Sequence, residues 1–195
     1  MSSNALAEWR SVGLGRLTEL EMVHAQLTGT GRGRRWGTTQ LNRSLFVALA
    51  AQFQSFCRDL HDEAVAVHVA AANPAQAGLL RVLLTEGRKL DVGNARKSTL
   101  GSDFGKLGFD FIGDLKATGV ATERRLVRLE SLVDYRNAIG HGSESKIEAL
   151  EQAKGISSTK VSYQVHRQAL NGLAGTMDSV VATRLAAALG CPTPW

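Results

Sequence analysis

The residues best suited to chemistry fall in one short stretch, Tyr135-Arg136-Asn137-Ala138-Ile139-Gly140-His141-Gly142. RNA can be cleaved without a metal if three things are supplied. A proton must leave the 2′-hydroxyl, a proton must reach the 5′-oxygen, and charge developing on the phosphorane must be neutralised. Imidazole moves protons near neutral pH, because the ordinary histidine pKa is about 6.5. Guanidinium clamps phosphate oxygens with a rigid fork of donors. An asparagine amide orients either group or the substrate. His141, Arg136 and Asn137 bring one of each.

Geometry sets a condition on that chemistry. Asn137 and His141 are four apart, so a helix puts them on one face. Arg136 and His141 are five apart and diverge by about 140° on an ideal helix. Gly140 and Gly142 are expected to loosen the final turn, and arginine is long enough to close the remaining gap. The negative end of the helix also favours a protonated imidazole, which biases His141 toward general acid or charge stabiliser. The bare Arg-to-His spacing is a weak signal. An ordinary helix end would use the same residues differently, with Arg136 solvated, Asn137 capping and His141 covering the last carbonyls.

The elements that must position this stretch read as helices throughout. Ala and Leu are abundant and only 3 Pro interrupt the 195 residues, which favours helix. A first helix is expected after Ser3 or Asn4 as far as Leu27, with Leu6, Val12/Gly13, Leu17, Leu20 and Leu27 inward. The second, from about Thr39 to Ala72, has a wide apolar face: Leu45, Leu49, Phe53, Phe56, Leu60, Ala64 and Val67, broadened by Phe46, Ala50 and Cys57. A third covers about Pro74 to Leu90 through Leu79, Leu80, Leu83 and Leu84. Residues 91–109, with glycines at 93, 101, 105 and 108, read as a long polar connection. A short helix follows at about 109–117. A helix capped by Thr122 then carries Leu126, Leu129, Leu132, Val133 and Ile139, and Gly140 and Gly142 end it. The last runs from about Ser158 to Leu189, with Val165, Leu173, Met177, Val180 and Leu185 inward. No alternating run suggests a strand. The fold class is therefore all-α, one domain over residues 1–195 built as a bundle of five to seven helices, closed by a short Pro-broken tail at 190–195.

Composition narrows the setting. A chain of 44% hydrophobic and 21% charged residues is ordinary for a globular protein. The net charge of +5 suits a polyanionic partner such as RNA, and suits a merely basic surface equally well. Two cysteines, Cys57 and Cys191, make neither a disulfide framework nor a zinc pattern, so a reducing cytoplasm is expected. The first residues show no signal peptide and no segment is apolar enough to span a membrane. Two basic stretches are further candidates for RNA contact. Arg32, Arg34, Arg35 and Trp36 combine cations with a ring that can stack a base; Asn94, Arg96 and Lys97 lie in the long connection. Solvated loops would look the same. His61 and His68, seven apart, share a helix face but match no metal motif. No metal and no cofactor is expected.

Arg136-Asn137-Ala138-Ile139-Gly140-His141-Gly142 resembles the Arg-Asn-x-x-x-His core of HEPN domains, helical domains whose common motif is Arg, four to six residues, then His. The preceding Leu129-Glu130-Ser131-Leu132-Val133-Asp134 is similar as well. Phe53-Gln54-Ser55-Phe56-Cys57-Arg58-Asp59-Leu60 and the long helix carrying Leu173-Ala174-Gly175-Thr176-Met177-Asp178 resemble the RiboL-PSP-HEPN-like branch. The resemblance spans about Leu41 to Leu189, with only the Arg-Asn-x-x-x-His core specific. It implies a metal-independent endoribonuclease acting as a homodimer, with the two motifs facing each other in one cleft. Arg136 and His141 carry over as catalytic and Asn137 as an orienting residue, and cleavage leaves a 2′,3′-cyclic phosphate. Such proteins often serve as toxins or in phage defence, which implies a neutralising antitoxin or defence partner. Gln54 stands where many relatives have an acidic residue, and Ser143 where some toxins have Tyr. These departures imply the alternative of a catalytically silent module that binds RNA, nucleotide or a protein partner.

Overall fold

The computed structural model describes residues 1–28 and 38–195; Arg32, Arg34, Arg35 and Trp36 lie outside the described residues. Ser3 begins the fold as a cap, its hydroxyl accepting the Leu6 N–H at 3.0 Å, and opens α1 (Asn4–Glu8). One π-helical turn, Trp9–Gly13, leads into α2 (Leu14–Thr28). Of the expected stripe, Leu6 and Leu17 are buried, but Leu20 and Leu27 are exposed.

Helix α3 (Thr38–Ala71) is the centre of the molecule, and its 34 residues extend about 51 Å. Its wide apolar face is buried as its pattern requires, from Leu45 and Phe46 to Leu60 and Ala64. Three aromatic clusters form along it. Near its start Phe46 meets Tyr135 and Tyr163 edge-on, with ring centres 5.1 and 5.8 Å away. Midway Phe53 and Phe56 surround Trp9. Further on, His61 sits edge-on to Phe104 at 5.2 Å, and Phe104 stacks on Phe111 at 4.2 Å.

Asn73 caps α4 (Pro74–Thr85), its side chain accepting the Ala75 N–H at 3.0 Å. This helix stops at Thr85 rather than continuing to Leu90. Gly87, at φ 64°, turns the chain there. The stretch read as a polar connection is largely helical and packed, holding α5 (Lys89–Val92) and α6 (Lys97–Gly105). Ala95, Leu100, Phe104 and Leu107 are all buried within it, as is Leu90 just before it. A buried carboxylate organises it: Asp103 accepts the N–H groups of Lys89 at 2.9 Å and Leu90 at 2.7 Å, the open donors at the start of α5.

Asp110 caps α7 (Phe111–Ala117). Helix α8 (Val120–Gly140) starts after Gly119 at φ 123°, so Thr122 lies buried inside it and is not its cap. Then comes α9 (Glu144–Lys154), which the periodicity does not announce. Thr159 caps α10 (Lys160–Leu189), which buries Leu173, Met177, Val180 and Leu185 while Val165 stays exposed. Helices α3, α8 and α10 pack on one another around the main core. Trp195, at the end of the tail, packs against that core. The described residues contain helices and no strand, in more segments than the five to seven expected, the additions being α5, α6 and α9. None of these helices is long and apolar enough to cross a membrane.

Two core histidines tie the fold to pH. His61 donates Nε2–H to the Asp103 carbonyl at 3.1 Å, and His166 donates Nδ1–H to the Ser162 carbonyl at 2.8 Å. Burial lowers the pKa of both, outweighing those hydrogen bonds. The unfolded chain, with histidines near 6.5, therefore binds protons before the native state does. Stability is complete above about pH 6.5 and is lost as pH falls from there through the depressed values. Thermal unfolding followed from pH 8 to 5 should show a flat midpoint, then a decline below about 6.5. His166→Gln should flatten that decline; an unchanged slope would contradict the assignment.

Candidate active site at the end of helix α8

The site grows from the way α8 stops. Its last carbonyls are closed by backbone. Gly142 N–H reaches the Ile139 carbonyl and Ser143 N–H the Ala138 carbonyl, both at 3.0 Å, with Gly142 left-handed at φ 62°. This is a Schellman ending, and its Gly142 position strongly favours glycine. Gly140 belongs to the helix, so the final turn is not loosened as expected. Among the described residues the His141 imidazole has no hydrogen-bond partner, and Asn137 is not a cap. The exposed His141 ring is thus free of the structural duty that an ordinary helix end would give it.

The Gly142 turn sends the chain back as α9, and a cleft of about 460 Å³ opens between the two helices. Asp134, Asn137 and His141 line one side, Lys146, Ala149 and Leu150 the other. Positions 134, 137 and 141 follow the i, i+3, i+7 rule for one helix face. Helix α9 is fastened at both ends. At its start Arg43 donates to both Glu144 carboxylate oxygens, at 2.6 and 2.7 Å. Near its end Tyr135 Oη donates to Glu151 Oε1 at 2.8 Å and Lys154 pairs with Asp134 at 2.6 Å. Tyr135 is a buried anchor between α8, α9 and Phe46. Burial first, then its bond to Glu151, push its phenol up to about 12 against the opposing Ser158 contact.

Arg136 does not line this cleft. It is half-buried, and its Nη1 donates to Asn137 Oδ1 at 3.1 Å. Because α8 stays regular through the motif, Arg136 and His141 keep the angular separation of about 140° that the spacing imposes. One chain therefore unites Asn137 with His141 and leaves Arg136 on a different face.

A strap formed by residues 93–97 runs along α8 and is fastened once per turn. Lys97 N–H donates to Glu130 at 2.6 Å, Arg96 pairs with Asp134, and Asn94 Nδ2 donates to Asn137 Oδ1 at 2.9 Å. Arg96, expected to bind RNA, is thus engaged in an internal ion pair. Lys97 makes its contact through the backbone, leaving its ammonium available. The strap is held from behind by Gln54, whose amide donates to the Leu90 carbonyl at 3.0 Å and the Gly93 carbonyl at 2.6 Å. Asp134, Lys146 and Lys154 are site residues that sequence reasoning missed. Asp134 was detectable from its helical phase with Asn137 and His141, whereas Lys146 and Lys154 depend on α9. His61 points into the core, and no group of three or more His, Cys, Asp or Glu among the described residues could hold a metal ion.

Compared with known proteins, the chain matches no family model, no curated protein and no solved structure.

The Gln54 bonds explain why an amide stands at that position. A carboxylate would face two carbonyl oxygens and could donate to neither. Gln54→Glu should cost about 1–3 kcal/mol of stability, read as a lower urea midpoint at pH 7. A loss under about 0.5 kcal/mol would mean that these bonds do not hold the strap.

Proposed function

We propose that this chain is a metal-independent endoribonuclease of the HEPN type, with Arg136 and His141 as its reacting pair and Asn137 beside them. The observation that carries the reading is the unused imidazole. The backbone closes α8, so His141 faces a cleft with Asn137 and Lys146 and has no partner among the described residues. In the proposed reaction the 2′-oxygen attacks the adjacent phosphorus and the 5′-oxygen leaves, giving a 2′,3′-cyclic phosphate and a 5′-hydroxyl. His141 moves a proton at the reacting oxygens, and Arg136 neutralises the phosphorane oxygens.

The angle between Arg136 and His141 favours a homodimer, in which each cleft takes its arginine from the other copy. An apolar groove supports this arrangement. Leu20, Val23, Leu27, Leu41 and Val47 line it together with Ile139. Ile139 is one turn beyond Arg136, and Leu20, Val23 and Leu27 are all exposed. An apolar surface of this kind, next to the residue that must leave its own chain, suits a partner copy. A toxin or phage-defence role, with a neutralising partner protein, goes with this reading.

Purified protein with mixed RNAs in EDTA should yield fragments ending in cyclic phosphate, and Arg136→Ala and His141→Ala should each abolish them while the dimer persists. Mixing the two variants should restore activity, because a mixed dimer contains one intact arginine–histidine pair. Cleavage surviving in both variants would remove the assignment; failure of mixing would remove the shared site. The other reading, a silent RNA-binding module, draws on Gln54 being committed to holding the strap. It predicts salt-sensitive RNA binding without products.

A further inference from the structure

The Asn137 amide has one orientation that suits its neighbours. Arginine has donors and no acceptor, so the atom that Arg136 Nη1 touches at 3.1 Å is Oδ1. The same oxygen lies 2.9 Å from the Asn94 amide, so Asn94 presents its nitrogen and donates. Both partners thus hold the oxygen. Asn137 Nδ2 has no partner among the described residues and is not among the buried unpaired atoms, on a residue that lines the cleft.

We propose that Asn94 is a positioning residue: by holding Asn137 Oδ1 it aims the Asn137 N–H groups into the cleft, where they donate to an acceptor oxygen of the phosphodiester. The inference rests on the ribonuclease reading of this site. It gives Asn137 a definite role, that of donor to an anionic oxygen rather than acceptor of the 2′-hydroxyl proton. Arg136 alone would hold the oxygen poorly, since it is a long side chain that must also meet phosphate. Asn94 is short and fixed on both sides. Gln54 grips the Gly93 carbonyl at 2.6 Å, Ala95 is buried, and Arg96 is paired with Asp134. Three amides therefore act in series, Gln54 on Gly93, Asn94 on Asn137, and Asn137 on the cleft.

Substitutions at Asn94 separate positioning from mere support. Asn94→Ala removes the second hold on the oxygen. Asn94→Asp is nearly isosteric but cannot donate to Oδ1. It draws Asn137 Nδ2 back toward itself and attracts Arg136, so the donors leave the cleft. Cleavage in EDTA should lose about tenfold in kcat for Asn94→Ala and about a hundredfold for Asn94→Asp, with KM changed by less than about threefold. In an Asn137→Ala background, Asn94→Asp should cost nothing further. Equal activities of wild type and Asn94→Asp, or full additivity with Asn137→Ala, would overturn the inference. An NMR readout is independent of catalysis: the Asn137 side-chain amide resonances should shift in Asn94→Asp. A wild-type chain that cleaves no RNA removes the ribonuclease reading alone. Unchanged Asn137 amide resonances in Asn94→Asp remove the positioning whether or not RNA is cut.

Discussion

A helix that ends in water can leave its last carbonyls to solvent, yet α8, whose ending at Gly140, His141 and Gly142 is exposed, closes its own. It does so with main-chain N–H groups alone, from Gly142 and Ser143. That closure requires the left-handed turn at Gly142, φ 62°, a conformation costing about 1–2 kcal/mol for a residue bearing a Cβ. Two further features follow from it. The chain reverses, so α9 returns beside α8 and supplies the second wall of the cleft. The side chains of Asn137 and His141 are also released from capping, which frees one for the strap and the cleft and leaves the other unpartnered.

Polar groups elsewhere around α8 are committed in a graded way. Those nearest the core are fully engaged: Asp103 receives two backbone N–H groups, and Gln54 gives to two carbonyls. Half-buried polar groups are costly when unpaired, which accounts for the strap being fastened at Glu130, Asp134 and Asn137 in turn. Toward the solvent the pairing stops. Lys146 and His141 have no hydrogen-bond or ion-pair partner among the described residues. The pairing is not complete inside, since Arg96 Nε in the strap is buried without a partner among the described residues.

Much of the helical scaffold was legible in the sequence. The α3 stripe from Leu45 to Ala64 has the helical period and is buried. Ser3, one of the two starts expected, caps α1, and Gly142, one of the two terminators expected, ends α8. What escaped was structure made by polar ties rather than by apolar period. Helix α9 buries Ile147 and half-buries Leu150, too little for a stripe, and is held through Glu144, Glu151 and Lys154. Helix α6 has Leu100 and Phe104 in phase, but its glycines conceal it. A Cβ at Gly101 would meet the Ile112 side chain at 3.2 Å, so the glycine marks a tight packing contact that reads in sequence as a loop signal. The motif at 136–141 was visible as a set of residue types. Its geometry was not, because Gly140 and Gly142 were both expected to loosen the final turn, whereas Gly140 stays helical and Gly142 closes it.

The charge balance of the cleft follows from those ties. Asp134 is an anion on the same face as Asn137 and His141, and alone it would repel a phosphate. It is flanked instead by Arg96 from the strap and Lys154 from α9, two cations for one carboxylate. The two cations neutralise Asp134, while Glu130 on α8 and Glu151 on α9 are taken up by a backbone N–H of the strap and by Tyr135 and Ser158. With Asp134 paired, the cleft wall presents Lys146 and His141, unpaired among the described residues, rather than a free carboxylate. The chain's overall excess of +5 says little about where a polyanion would settle. The pairing of Asp134 is local: the one acidic residue that lines the cleft is the point where the strap and α9 each bring a cation.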